Sequence, residues 1–238
     1  MMRILAYIIK RLAWRFRSMI WLFPMVIRGE VPLNEWFSDP ISIKHGIEHG
    51  WYYDRERKCW RHAKVDIPCF VRYRMILHET FIDNQYGMAD YKGKVVLDVG
   101  AYVGDTLLYF LHNGARYVIA VEPVGKYVSE LARNAMLNRI DSRKFTIVGA
   151  HYGKLSICDF LNAFGGIDVA KFDCEGCELG LAKDPCIGKI PEYVIEYHSN
   201  DILMELLTRF NNEGFKCSAV SGDANVGIIM CRHGIALK

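Results

Sequence analysis

Four short stretches of the chain end apolar runs on residues that can do chemistry. VVLDVGAYVGDT, residues 95–106, runs from β-branched residues through Asp98 into Gly100 and Gly104, then offers Asp105 and Thr106. VIAVEP, 118–123, ends on Glu122 and Pro123. KFDCEGCE, 171–178, carries Asp173, Glu175 and Glu178, and VIEYH, 194–198, carries Glu196 and His198. Gly100 permits a tight turn and close approach of a ligand to the backbone. Gly104 opens a helix whose unpaired amides form a weakly positive site. Glu122 follows Gly100 by 22 residues, and a strand-end carboxylate there can accept both hydrogen bonds of a ribose diol. A nucleoside ligand is expected.

The loop's spacing chooses between nucleosides. A dinucleotide site wants G-x-G-x-x-G, which seats a pyrophosphate on a helix N-terminus. This loop reads G-x-x-x-G, with Tyr102 where the second glycine should stand. Asp98 and Asp105 add negative charge where a pyrophosphate would want none. A cationic ligand with an amino group and a sulfonium, S-adenosylmethionine (SAM), suits those acids better.

The elements that must position these residues alternate. Strands are expected at Lys94–Val99, Tyr117–Glu122, Lys144–Ala150, Ile167–Asp173 and Glu192–His198, and helices at Asp105–Asn113, Gly125–Asn138, Leu155–Phe164 and Asp201–Asn212. Gly114 stops the first helix, and Ser199 or Asn200 caps the last. Lys216–Val220 and Val226–Cys231 read as two final strands around SGDAN. Strands alternating with helices give a mostly parallel sheet covered on both faces. Ligands bind such sheets at the carboxyl ends of the strands, where the residues above fall.

Taken in order, these four motifs resemble the FkbM-type SAM-dependent methyltransferases over Tyr91–Lys238. The resemblance implies an α/β, Rossmann-like class I methyltransferase fold: a seven-stranded, mostly parallel sheet with the last strand antiparallel, here preceded by an N-terminal helical extension. It implies an O-methyltransferase acting on a hydroxyl of a glycan, glycolipid or small metabolite. It assigns Asp98, Gly100, Ala101, Tyr102, Gly104, Asp105 and Thr106 to the SAM pocket, Glu122 and Pro123 to the ribose, and Ala150 and His151 to the adenine. Asp173 falls near the methyl donor. HYGKLSICDFLNAFGG is shorter than the insertion the family usually carries between its third and fourth strands.

A hydroxyl acceptor needs a base. His198 is the first choice, because a neutral imidazole suits the working pH; Asp173 is the second, and Glu175 completes the catalytic set. The plainer alternatives are a His198 that only bonds nearby backbone, and Glu175 and Glu178 charging the start of a helix. No resident metal is expected, although Asp173 with Glu196 or His198 is a chemically reasonable ligand set.

The remainder bounds the answer. With 238 residues, 51% hydrophobic and 24% charged, the chain suits one full-sized domain with an appendage. The divisions expected are a basic helix at 1–28, an extension or cap at 29–90, and the SAM domain at 91–238. Net charge is +3, which argues against a dedicated nucleic-acid binder, although the aromatic and basic stretch from Trp51 to Arg74 keeps an RNA or protein acceptor as an alternative. The eight cysteines read as small buried hydrophobes in a reducing compartment, and Cys174-x-x-Cys177 lacks the second pair a zinc site needs.

Residues 1–29 hold Arg3, Lys10, Arg11, Arg15, Arg17 and Arg28 and no acid. Wound at ~100° per residue, residues 3–20 place Leu5, Ile8, Ile9, Leu12, Phe16, Met19 and Ile20 on one arc and the charges, with Tyr7 and Trp14, on the other. Such a helix, ending near Pro24, either lies on an anionic membrane or packs its apolar face on protein. Its longest uncharged run, Ser18–Ile27, is too short to span a bilayer. A non-catalytic, membrane-bound module is a third reading. The location expected is cytoplasmic, peripheral on the inner membrane face.

Overall fold

The computed structural model describes residues 2–223 and 225–234, with side chains from residue 5 onward. Arg3 of the basic head, Ala224 of the SGDAN turn and residues 235–238 fall outside the described side chains. The chain forms two compact units, Met1–Asn84 and Gln85–Lys238.

The first unit begins with α1 (Met2–Ile27), followed by α2 (Leu33–Ser38), α3 (Pro40–Glu48), the hairpin β1 (Trp51–Asp54) and β2 (Cys59–His62), and α4 (Met75–Phe81). α1 runs one turn past Pro24, where the sequence suggested a stop. Proline near a helix end forfeits one hydrogen bond, and the chain leaves the helix at Gly29, whose φ of 70° only glycine adopts freely. The buried carboxylate of Glu35 organises the unit. It accepts the Trp60 indole N–H on both oxygens at 3.1 Å and the Tyr73 amide at 3.2 Å. Trp51, Trp60, Phe70 and Tyr73 are all buried. Most large aromatic rings of the stretch once open to nucleic acid are thus core, not stacking platforms.

The second unit is the alternating fold. β3 (Val95–Val99), α5 (Asp105–His112), β4 (Tyr117–Val121), α6 (Gly125–Leu137), β5 (Phe145–Val148), α7 (Ile157–Phe164), β6 (Val169–Phe172), α8 (Glu178–Leu181), β7 (Glu192–Tyr197), α9 (Asn200–Asn212), β8 (Phe215–Gly222) and β9 (Gly227–His233) follow in that order. The described residues form a seven-stranded sheet in the order β5-β4-β3-β6-β7-β9-β8. β9 is antiparallel to both neighbours and the first five strands are parallel. This is the expected class I methyltransferase sheet. β3 and β6 are buried along their whole length, as continuous apolar runs in parallel sheets require. Local signals set the boundaries: Ser156 and Asp159 close a capping box on α7, Ser199 accepts the Ile202 amide at the start of α9, and Gly114 with φ 84° ends α5.

The cysteine reading is corrected. All eight are paired, as Cys59–Cys69, Cys158–Cys186, Cys174–Cys177 and Cys217–Cys231. No described helix is long and apolar enough to cross a membrane.

Three imidazoles meet in the first unit. His45 and His49 stack at 4.1 Å between centroids, and His78 meets them edge-on at 5.5 and 5.2 Å. Burial first, then the neighbouring imidazoles, lowers the pKa of His45; burial also lowers that of His78, against the opposing pull of Asp83. A histidine held below its unfolded value of 6.5 stabilises the fold fully above that pH, and the contribution is lost as pH falls through the folded value. All five tryptophans, at 14, 21, 36, 51 and 60, lie in this unit, so their fluorescence reports on it alone. We expect the tryptophan-detected melting temperature to fall as pH is lowered from about 7.5 to about 5.5, and His45→Gln to flatten that dependence. A melting temperature flat over this range would remove the histidine cluster as the cause.

Candidate functional site

The parallel register sets Asp98 of β3 directly opposite Lys171 of β6. Both are buried, at 0% and 1% exposure, and Lys171 Nζ lies 3.2 Å from Asp98 Oδ1. The same ammonium donates to the Gly100 carbonyl at 2.8 Å and stands 3.9 Å from Asp173 Oδ2. Burial pulls the lysine's pKa down, but Asp98, Asp173 and Asp105 outweigh it and the net direction is up, so the lysine stays charged. Burial raises the Asp98 carboxyl, opposed by Lys171 and by the Thr106 hydroxyl that donates to it at 2.6 Å.

Asp98 and Thr106 are bonded to each other inside the protein, and Ala101 and Asp105 of the same loop are buried too. Gly100 stands at a close approach of two chain segments. Its φ is 83°, and a Cβ there would lie 1.8 Å from the Asp173 carbonyl oxygen. The backbone it admits is the chain's own, from the end of β6. Gly104, with φ 85°, packs against Leu131 of α6.

Glu122 ends β4, buried, and does not point into bulk solvent. One oxygen accepts the Tyr102 amide at 3.1 Å and the other the Val124 amide at 2.8 Å. A carboxylate has about four lone-pair positions, so two amides leave room for a diol. Burial raises its pKa, against the lowering effect of the Val124 and Tyr102 amides. Tyr102 itself takes a φ of 43° and meets Tyr127 edge-on at 4.3 Å. Pro123 and Ala150 are half-buried and His151 is exposed, along the ends of β4 and β5.

The second half of the site gathers at the ends of β6 and β7. His198 Nε2 is 3.9 Å from Asp173 Oδ1 and 3.7 Å from Glu175 Oε2, and its Nδ1 is 3.6 Å from Glu178 Oε1. These are charge contacts, too long to be hydrogen bonds, and Nδ1 is buried without a hydrogen-bond partner. Glu178 is fully buried and accepts the Cys174 and Gly176 amides, both at 2.8 Å, so it closes its own loop. Glu175 is the opposite: its side chain is 86% exposed, at a φ of 58°. Asp173 is held by the Tyr86 hydroxyl at 2.9 Å, and Glu196 by the Gln85 amide at 2.8 Å. Burial, then the charge of Asp173, drives the Tyr86 pKa well above 10, so the phenol keeps the proton it donates. Asp173, Glu196 and His198 each offer a ligand atom within 4.8 Å of the others, a grouping that suits a divalent cation as well as a proton relay. Cys174 and Cys177 are paired with each other and are not available as ligands.

Sequence reasoning missed Lys171, Tyr86 and Gln85. Lys171 had a signal: a lone cation inside a strand buried on both faces must find an acid. Tyr86 and Gln85 lie in a segment without periodicity, and nothing in their spacing marked them.

No protein-family model matches the chain, and no curated protein matches it. Among solved structures, SMU.776, assigned as a methyltransferase and complexed with SAH, superposes with a TM-score of 0.51 at 8% identity, over 66% of this chain and 49% of its own. The chain thus spans about half of that protein's length. Precorrin-6y C5,15-methyltransferase from Geobacter metallireducens GS-15 gives 0.49 at 14% identity, over 63% and 87%. Ribosomal protein L11 methylase from Lactobacillus delbrueckii subsp. bulgaricus gives 0.49 at 16%, over 63% and 76%. The first of these likenesses supports the fold: it is Rossmann-like, of the class I methyltransferase type.

Two substitutions test the packing behind the site. Lys171→Met strands the buried Asp98 charge and should cost about 3–5 kcal/mol in chemical denaturation. Gly100→Ala meets both a clash and a left-handed backbone, and should destabilise by more than about 1 kcal/mol. A Lys171→Met protein as stable as the parent would show that the pair does not hold the sheet.

Proposed function

We propose that this chain is a SAM-dependent O-methyltransferase of the FkbM type, acting on a hydroxyl of a glycan, glycolipid or small metabolite. The observation that carries the reading is Glu122. At the end of the strand beside β3, it is clamped by the amide of the glycine loop and by that of Val124, which keeps its remaining lone pairs oriented at the end of the sheet. A vicinal diol is the ligand group that two such oxygens fit. The charge around it supports a cation. Asp98, Asp105, Glu122 and Asp173 all act on one lysine, and a ligand with a net positive charge relieves that excess.

Bound SAM supplies an electrophilic methyl group on a sulfonium. The chain's part is to hold the acceptor and manage its proton. Asp173, fixed by Tyr86 and Lys171, orients the acceptor hydroxyl. His198 Nε2, 3.9 Å from Asp173 Oδ1, takes the proton as the new bond forms. The buried Glu178 carboxylate, 3.6 Å behind Nδ1, stabilises the imidazolium that results. Glu175, exposed and flexible in reach, contacts the acceptor and not the cofactor.

Calorimetry with S-adenosylhomocysteine should show binding, and NAD should show none; the reverse pattern would falsify the assignment. Glu122→Gln should weaken binding about tenfold to a hundredfold. Because the Glu122 pKa is raised, the parent's affinity should start to fall at a higher pH than an ordinary carboxylate would dictate.

With an acceptor in hand, His198→Asn should lower kcat by about 10²–10⁴ and leave S-adenosylhomocysteine affinity unchanged. Chelator-treated protein should stay active. Activity lost on chelation and restored by a divalent ion would replace the proton-relay role of His198 with a ligand role.

A further inference from the structure

The two sides of α1 do different work. Ser18, Met19, Leu22, Met25 and Val26 fall on one side of the helix, and these positions are buried or half-buried. The Trp36 indole donates to the Met19 carbonyl at 2.9 Å, and the Arg15 guanidinium donates to the carbonyls of Phe37 and Ser38. The apolar arc lies elsewhere, centred roughly 100° further round. Leu5, Ile9, Leu12, Phe16, Ile20 and Ile27 fall within it, and each is 58–72% exposed. From residue 5 to residue 14 the helix is exposed on every side. Apart from Met19 at its edge, the stripe is not the surface that packs.

Charge identifies what covers it. α1 has no acid anywhere in its length. Lys10, Arg11 and Arg17 have no acidic partner among the described residues, whereas Arg28 is paired with Glu30 at 2.7 Å. Tyr7, Trp14 and Trp21 are exposed as well, on the charged side of the helix. We infer that α1 is an in-plane membrane anchor, seating the Leu5–Ile27 stripe in the acyl boundary of an anionic bilayer with Lys10, Arg11 and Arg17 at the headgroups.

The test uses the full chain and needs no cofactor, so it stands apart from the methyltransferase reading. Sedimentation is compared on phosphatidylcholine vesicles with and without phosphatidylglycerol. The protein should sediment with the anionic vesicles, less so as salt is raised. Replacing Lys10, Arg11 and Arg17 together by Gln should weaken partitioning roughly a hundredfold. Leu12→Glu with Phe16→Glu should abolish it. Both sites are exposed, so that protein should keep the parent's melting temperature. The inference is overturned if the Leu12→Glu, Phe16→Glu protein partitions like the parent, if neutral and anionic vesicles bind alike, or if the parent self-associates through residues 1–28 and ignores vesicles.

Discussion

A lysine ammonium enclosed between two parallel strands is the constraint on which the second unit turns. Lys171 cannot be hydrated, so every one of its donors must find an oxygen inside. Those oxygens are the Asp98 carboxylate and the carbonyls at the end of β3. One side chain therefore ties β6 to the start of the glycine loop, while Asp98 holds Thr106 at the start of α5. Gly100 completes the joint by letting the Asp173 carbonyl come within reach of its own Cα. Strand end, loop and helix start are locked by contacts that have no freedom to adjust independently.

That joint explains why the site is polar where the sheet is apolar. Leu97, Val99, Ala170 and Phe172 point to the opposite face and form the main core. Alternation leaves Asp98 and Lys171 on the other face, where packing alone would have placed two more aliphatic residues. Replacing a buried ion pair by hydrophobic residues is often neutral or stabilising, so stability alone does not account for it. Its consequence lies at the strand ends: Lys171 and Tyr86 both meet Oδ2 of Asp173, and a defined negative site results at the switch point of the sheet.

The sheet was legible in the sequence because its signals are local. Apolar runs of strand length, glycine stops and serine caps each act within a few residues, so β3 through β9 appear close to where the pattern puts them. Glu122 and His198 were legible for the same reason, as they end strands. The inner roles were not. Nothing local distinguishes an Asp98 that faces a ligand from one that faces a lysine 73 positions later. Tyr86 and Gln85 reach Asp173 and Glu196 from a stretch with no period to read. The cysteines failed on the same ground, since pairings such as Cys158–Cys186 are set by the packing of elements far apart in sequence and composition cannot show them.

α1 exposes a different limit. Its hydrophobic arc was correctly placed, yet an arc states only that a face prefers to leave water, not what it meets. The residues that do pack include Ser18 and the stem of Arg15, chosen by backbone carbonyls at Phe37 and Ser38 and by the Trp36 indole. Polar contacts of that kind orient a helix without needing its most apolar side. Six large apolar side chains left more than half exposed are costly in water, and an acid-free helix flanked by unpaired cations offers them one surface of matching character. Orientation by hydrogen bonds and the preference of apolar side chains to leave water are separate demands, and α1 carries them on separate faces.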